Sequence, residues 1–379
     1  MMKRLLSLLL AGCLLLGLTA CGKKQPETTT APTETTAPTE TVAPTTVPPT
    51  EDQALEPAVV YRNPLTGEPM DHRFTARPYA VTINNIVYAM PQCGTSQADI
   101  LYEILAEGGI TRCLAIFDDL SKVEHIGSIR SARTYLIDLA LGVDAIYIHH
   151  GFSEYALAEL QNLDVDDLCP LRGKGGSAYY RDSYRLSAGY DLEHTSFAEG
   201  EDLIQAALDQ GYTQERPEGE DFGWCFVEDG TPSDGADARE IVVNFHENGK
   251  TTTLTYDEAS GTYKAAQYGD ALIDGNTNDT LSFRNVLIMK AYSYTDSEGY
   301  RQFVEMTNTS GDGYFACGGK LIPIVWMCGG DKEPFRFFTE SGEPLELGRG
   351  NTYMAICTPQ SPVVCEGMPE QPAETTAAS

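Results

Sequence analysis

The chain has 379 residues with 26 Lys and Arg against 55 Asp and Glu, a formal net charge of −29, and 42% hydrophobic residues. That is enough apolar sequence for a sizeable core and too much chain for a small disulfide-stapled peptide. The acidity repels phosphate backbones, so no nucleic-acid partner is expected.

Lys3 and Arg4 precede an apolar run from Leu5 to Ala20, which ends in Leu18-Thr19-Ala20-Cys21 before polarity returns at Gly22-Lys23-Lys24. Sixteen residues of helix span roughly 24 Å, short of the ~30 Å hydrocarbon core. A lipoprotein signal peptide over 1–20 fits better than a spanning helix, because small residues before the cysteine admit a peptidase. Cys21 is then the lipid-attachment residue, with palmitate or a similar acyl chain as the membrane anchor on the extracytoplasmic face.

Residues 21–57 carry the lipidated cysteine and a stretch of Thr, Pro, Glu and Ala, with six acids and no base between Gln25 and Pro57. Such a segment buries too little to offset backbone ordering, so a disordered Thr/Pro/Glu stalk is expected. A second Thr-rich stretch, 367–379, is expected to be a disordered tail.

Over 58–215 short apolar runs alternate with helix-like segments, which predicts an α/β N-terminal domain. The runs Tyr79–Asn84, Leu114–Phe117 and Ala145–His149 suit buried strands. Ser131 is expected to cap a helix that stops at Gly142, Ser153 to cap a second, and Ser196 with Glu199 to form a capping box before a third that stops at Gly211. A Gly-, Pro- and Asp-rich linker follows at 216–238.

Over 239–366 the period becomes two, predicting an antiparallel all-β C-terminal domain, sandwich or barrel left open. Asn248-Gly249 reads as a hairpin turn pairing Glu247 with Lys250, Val243 with Leu254 and Ile241 with Tyr256. Further strands are expected at Leu281–Ala291, Arg301–Met306, Lys320–Met327, Pro334–Phe338 and Thr352–Ile356.

Four blocks carry a resemblance: Arg77 to Asn85, Ala98 to Arg112, Ile126 to Arg133 and His149 to Ser153. With Gly313-Tyr314-Phe315, Gly319 to Trp326 and Gly348 to Tyr353, they resemble YerB-type bacterial lipoproteins, domain-of-unknown-function family 3048. The resemblance spans most of Arg62 to Ile356 and implies an extracytoplasmic lipoprotein, without an activity. Cys93 and Cys113 depart from the pattern.

The same blocks hold the candidate ligand-binding residues. Arg130, Ser131 and Arg133 stand at a proposed helix start, where free N–H groups and guanidinium forks suit a phosphate or carboxylate, unless internal carboxylates take the arginines. Glu103, Glu107, Thr111 and Arg112 surround Gly108-Gly109. The two glutamates share a face in a helix or a strand, as an acid–base pair or as ordinary ion-pair partners. His149 and His150 end a strand, and opposite pointing lets one of them face a cleft.

Sharper motifs fail. Gly151-Phe152-Ser153-Glu154-Tyr155 lacks the last glycine of a nucleophile elbow, and Gly173-Lys174-Gly175-Gly176-Ser177 lacks the hydroxyl after lysine that a phosphate loop needs. No H-E-x-x-H is present. Asp274 to Asp279 begins like a calcium loop but has Asp279 where glycine is required. No metal or cofactor is therefore expected, and no catalytic residue is assigned. Beyond Cys13 and Cys21, eight cysteines remain, for which local pairs in the β domain and free buried thiols are both open. The preferred reading is a membrane-anchored lipoprotein that binds a polar or anionic ligand, a cell-wall component or an envelope protein. The alternative is a cell-envelope hydrolase or transferase with a Glu/His acid–base pair.

Overall fold

The computed structural model describes residues 60–217, 222–246, 250–366 and 368. The expected signal peptide, Cys21, the expected stalk, the expected Asn248-Gly249 turn with Glu247, and nearly all of the expected tail lie outside the described residues. Among the described residues strands outnumber helices.

In the first half the strands are β1 (Tyr79–Asn85), β2 (Ile100–Leu105), β3 (Thr111–Phe117), β4 (Ile146–Ile148) and β5 (Asp167–Leu168). The helices are α1 (Thr134–Leu141), α2 (Glu154–Asn162), α3 (Ser183–Ser187) and α4 (Gly200–Asp209). In the second half come β6 (Ala236–Asp237), β7 (Glu240–His246), β8 (Lys250–Asp257), β9 (Thr262–Gln267), β10 (Asn285–Lys290), β11 (Thr309–Cys317), β12 (Lys320–Cys328), β13 (Arg336–Thr339), β14 (Thr352–Cys357) and β15 (Val363–Cys365).

One large mixed sheet draws on both halves, in the order β6-β12-β11-β10-β14-β2-β3-β1-β4-β5, with β13 beside β12. The join is β14, which lies parallel to β10 on one side and to β2 on the other. This corrects the expectation of a purely antiparallel C-terminal half. Parallel pairing leaves no turn signal between partners, and each of these strands is apolar on both faces, as a sheet covered on both sides requires.

Alternation along β2 shows the two layers. Ile100, Tyr102 and Ile104 pack with Tyr135, Leu136 and Leu139 of α1 and Leu160 of α2. Leu101 and Leu105 face the other way, into a core shared with Ile241, Val243, Phe245 and Leu254 of a six-stranded antiparallel sheet. Leu203, Ala206 and Ala207 of α4 belong to that second core as well. The helix α2 carries the chain from β4 to its parallel neighbour β5, so β4 opens its carboxyl end onto the loop 149–153.

The β7–β8 hairpin forms in a different register from the expected one: Ile241 faces Leu254 and Val243 faces Thr252. A bulge between Asn244 and His246 shifts the pairing, and His246 stands opposite Lys250. The helix caps also divide. Ser153 accepts from Ala156 N–H at 3.2 Å, as expected. However, α1 begins at Thr134, with Arg133 at its cap rather than Ser131, and Ser196 lies in a short strand, Ser196–Ala198, so no capping box forms. That strand joins Ile126–Gly127 and Tyr179–Arg181 in a three-stranded sheet.

Cys93, Cys113, Cys169, Cys225, Cys317, Cys328, Cys357 and Cys365 are free thiols, so the local disulfides do not form. Asp274 is buried and accepts N–H groups of Gly94, Ser96 and Asn276, so its segment is a polar turn.

Candidate functional site

The sequence candidates separate into three places. Glu103 is completely buried between the two sheets. Its Oε1 accepts from Asn85 Nδ2 at 2.9 Å and Thr111 Oγ1 at 2.7 Å. Its Oε2 accepts from Thr252 Oγ1, Gln267 Nε2 and the Tyr353 hydroxyl, at 2.7 to 2.8 Å. Lys250 Nζ lies 3.5 Å away. Five donors and one cation saturate the carboxylate, so it ties the sheets together.

Glu107 does not share a face with it. The strand ends at Leu105, and Glu107 opens a 3₁₀ turn, Glu107–Gly109, which breaks the period of two. Its carboxylate holds Arg133 in a fork, Oε1 to Nε at 2.5 Å and Oε2 to Nη2 at 2.9 Å. Burial raises the Glu107 carboxyl, but Arg133 outweighs this and the group sits below the usual carboxylate range. Arg112 is buried beside them, gives Nη1 to the Ser131 carbonyl at 3.0 Å, and is lowered to about 10, chiefly by burial. Thus the expected acid–base pair is two separately engaged carboxylates.

The third place is a cleft of about 510 Å³ beyond the end of β4, where Arg130, Ser131 and His150 meet Arg181, Glu193 and Ser196. His150 Nε2 lies 3.2 Å from Arg181 Nη2. A guanidinium only donates, so Nε2 accepts and Nδ1 carries the proton toward Ser196 Oγ at 2.6 Å. Burial first, then the Arg181 charge, lower His150 to about 4, which keeps it neutral. Arg130 Nη1 meets Glu193 Oε2 at 3.1 Å, while its Nε is buried with no hydrogen-bond partner. Arg181 gives Nη1 to the Leu192 carbonyl at 2.7 Å. Gly151 forms part of the wall at a φ of +90°, and a Cβ there would stand 2.7 Å from Ser131 Oγ, so glycine keeps the cleft open.

His149 points the opposite way and is fully buried, with Nδ1 2.7 Å from the Gly151 carbonyl and Nε2 3.0 Å from Asp167 Oδ2. Arg181, Glu193 and Ser196 escaped the sequence reading. Arg181 sits in a Tyr-Tyr-Arg strand without a motif, and Ser196 looked like a cap. The three-stranded sheet brings Arg181 and Ser196 beside Arg130, and the turn Leu192–His194 brings Glu193.

The fold agrees with the comparisons with known proteins. Residues 65–213 match the N-terminal domain and 241–354 the C-terminal domain of the protein of unknown function family DUF3048. The chain belongs to that family. A relative named "Putative lipoprotein YerB", from Bacillus subtilis (strain 168), is 30% identical over 280 residues, covering 73% of this chain and 81% of the relative. The crystal structure of the YerB protein from Bacillus subtilis superposes with a TM-score of 0.69 at 27% identity, over 80% of this chain and 99% of that one.

Proposed function

We propose that the protein is a lipoprotein held to the outer side of the cell membrane through Cys21, and that its cleft binds a small anionic group of an envelope component. The signal-like leader and the relative's name support the anchor. The observation that carries the ligand reading is Arg130 and Arg181 around one neutral histidine. Glu193, with its side chain 55% exposed, is the carboxylate seated on Arg130. Arg181 is met by neutral acceptors at Leu192, Thr195 and His150. Two planar forks with a hydroxyl at Ser196 suit a phosphate or carboxylate, and Glu193 occupies the place such a group would take.

The net charge of −29 limits the size of the ligand. Beyond about 8 Å at physiological salt the field of distant carboxylates is screened, so a single anionic group reaches the arginines while a long polyanion meets repulsion. The test is calorimetric titration of the full chain with inorganic phosphate and with a soluble phosphodiester. Arg181→Ala is expected to weaken binding about tenfold or more, the effect of losing one charged hydrogen bond. Equal affinity in both proteins overturns the reading.

A further inference from the structure

Beneath the cleft lies Cys169, whose hydrogen bonding differs from that of Cys328 and Cys365. Cys317, Cys328 and Cys365 donate their S–H groups to carbonyl oxygens. Cys169 instead accepts: Gly151 N–H points at its Sγ from 3.5 Å. A sulfur met by donors is best satisfied as a thiolate.

Its surroundings supply the countercharge. His149 has acceptors at both ring nitrogens, the Gly151 carbonyl and the Asp167 carboxylate, so both nitrogens must carry protons and the ring is an imidazolium. Asp167 also takes Arg172 Nη1 at 2.5 Å and Lys174 Nζ at 2.8 Å on its other oxygen. Three cations therefore surround one carboxylate, an excess of positive charge that favours a further anion beside them. Cys169 is the neighbouring group able to provide it. Tyr147 stacks on His149 at 4.9 Å, and the Tyr179 hydroxyl donates to backbone carbonyls, so neither takes the charge. Burial alone pushes the Cys169 thiol up, but His149 and the N–H groups of Gly151 and Leu171 bring it below the ordinary thiol range. By contrast, burial raises Cys93 and Cys365 to about 11.

We propose that Cys169 is a reactive thiolate, paired with the His149 imidazolium that Asp167 orients, and that it is oxidised by small peroxides entering through the cleft. Gly151 and Leu171 line the cleft on one side and reach the sulfur with their N–H groups on the other, so one layer of residues separates the two. Leu171 is 66% exposed and is the side chain that must move. Only a compact reagent passes, which favours a peroxide over a bulky electrophile. The thiolate attacks one peroxide oxygen, the S–O bond forms and the O–O bond breaks. The hydrogen of the transferred hydroxyl goes to the leaving oxygen, giving an alcohol or water and leaving a sulfenate. Sulfur loses two electrons and the peroxide gains them. The cations that held the thiolate then hold the sulfenate.

The test uses the full chain and two readouts. Ultraviolet thiolate absorption, followed against pH in the wild type and in Cys169→Ser, is expected to show one thiolate already present at neutral pH and lost in the variant. Its absence overturns the proposal whether or not a reagent can enter. Hydrogen peroxide is then applied to the folded chain for timed intervals and a sulfenate-trapping 1,3-dicarbonyl is added on denaturation, and the Cys169 peptide is expected to acquire label at least about tenfold faster than those of Cys317 and Cys365, since the thiolate is the nucleophile. Equal or slower labelling overturns it. His149→Gln is expected to slow labelling about tenfold, and an unchanged rate removes the imidazolium from the account. Phosphate titration reads Arg130 and Arg181 separately, so the two sites fail independently.

Discussion

His149 and His150 are neighbours in the chain, yet their rings look to opposite sides of the strand end, His149 to Asp167 at 3.0 Å and His150 to Ser196 at 2.6 Å. Their titrations are accordingly driven apart. Burial pulls His149 down, but Asp167 and Cys169 outweigh it and lift the ring to about 9, while burial and Arg181 lower His150 to about 4. The His149 contribution to stability is complete below its unfolded value of about 6.5 and is lost as pH rises through 9. That of His150 is complete above about 6.5 and is lost as pH falls through 4. NMR titration of the imidazole protons is expected to show one histidine above 8 and another below 5, and two ordinary midpoints would refute the assignment.

Glu107 and Arg133 act on stability rather than on binding. Both are mostly buried, and Arg133→Ala leaves a carboxylate without its fork, so a loss of about 2–4 kcal/mol is expected in urea unfolding. Because the Glu107 carboxyl is held below its ordinary value, the pair's contribution is present above that value and disappears as pH falls through the folded one. The gap between wild type and Arg133→Ala should therefore close in acid. Phosphate affinity should be unchanged.

Glu103 joins the sheets. Replacing it by Leu leaves the buried Lys250 cation without its counter-charge and the Thr252 and Gln267 donors without their carboxylate oxygen, and a cost of about 3–5 kcal/mol is expected. Glu103→Gln keeps the shape and part of the hydrogen bonding, so it should cost less. Thermal unfolding of the three proteins measures the order.

Much of this architecture was legible because local signals repeat. β1, β3, β10, β12 and β14 were readable as apolar runs, and Ser153 as a cap, since each depends on neighbours in sequence. The joining of β14 to β2 was not, because parallel pairing between residues about 250 apart leaves no local trace. The apolar register of the hairpin differs from the expected one, with a bulge after Asn244 that a strict period of two does not anticipate. The meeting of Arg130, Ser131 and His150 in one cleft depends on the loop after β4, and the pairing of Arg133 with Glu107 depends on the turn after β2, so neither leaves a local trace in the sequence.

Anchoring through Cys21 predicts that labelled palmitate marks the wild type and not Cys21→Ser, and that the variant leaves the membrane fraction. Equal labelling of the two would refute the anchor. One acyl chain holds a membrane only marginally, so release should be incomplete if a single chain alone is lost and complete if the cysteine is.

The most direct measurement of the cleft is phosphate affinity by calorimetry in three full-length proteins: wild type, Arg130→Ala/Arg181→Ala, and Glu193→Gln. If Glu193 holds the place of an anion, removing its charge should tighten binding several-fold, and removing both guanidiniums should abolish it. Identical affinities in all three, or weaker binding in Glu193→Gln, would contradict the account.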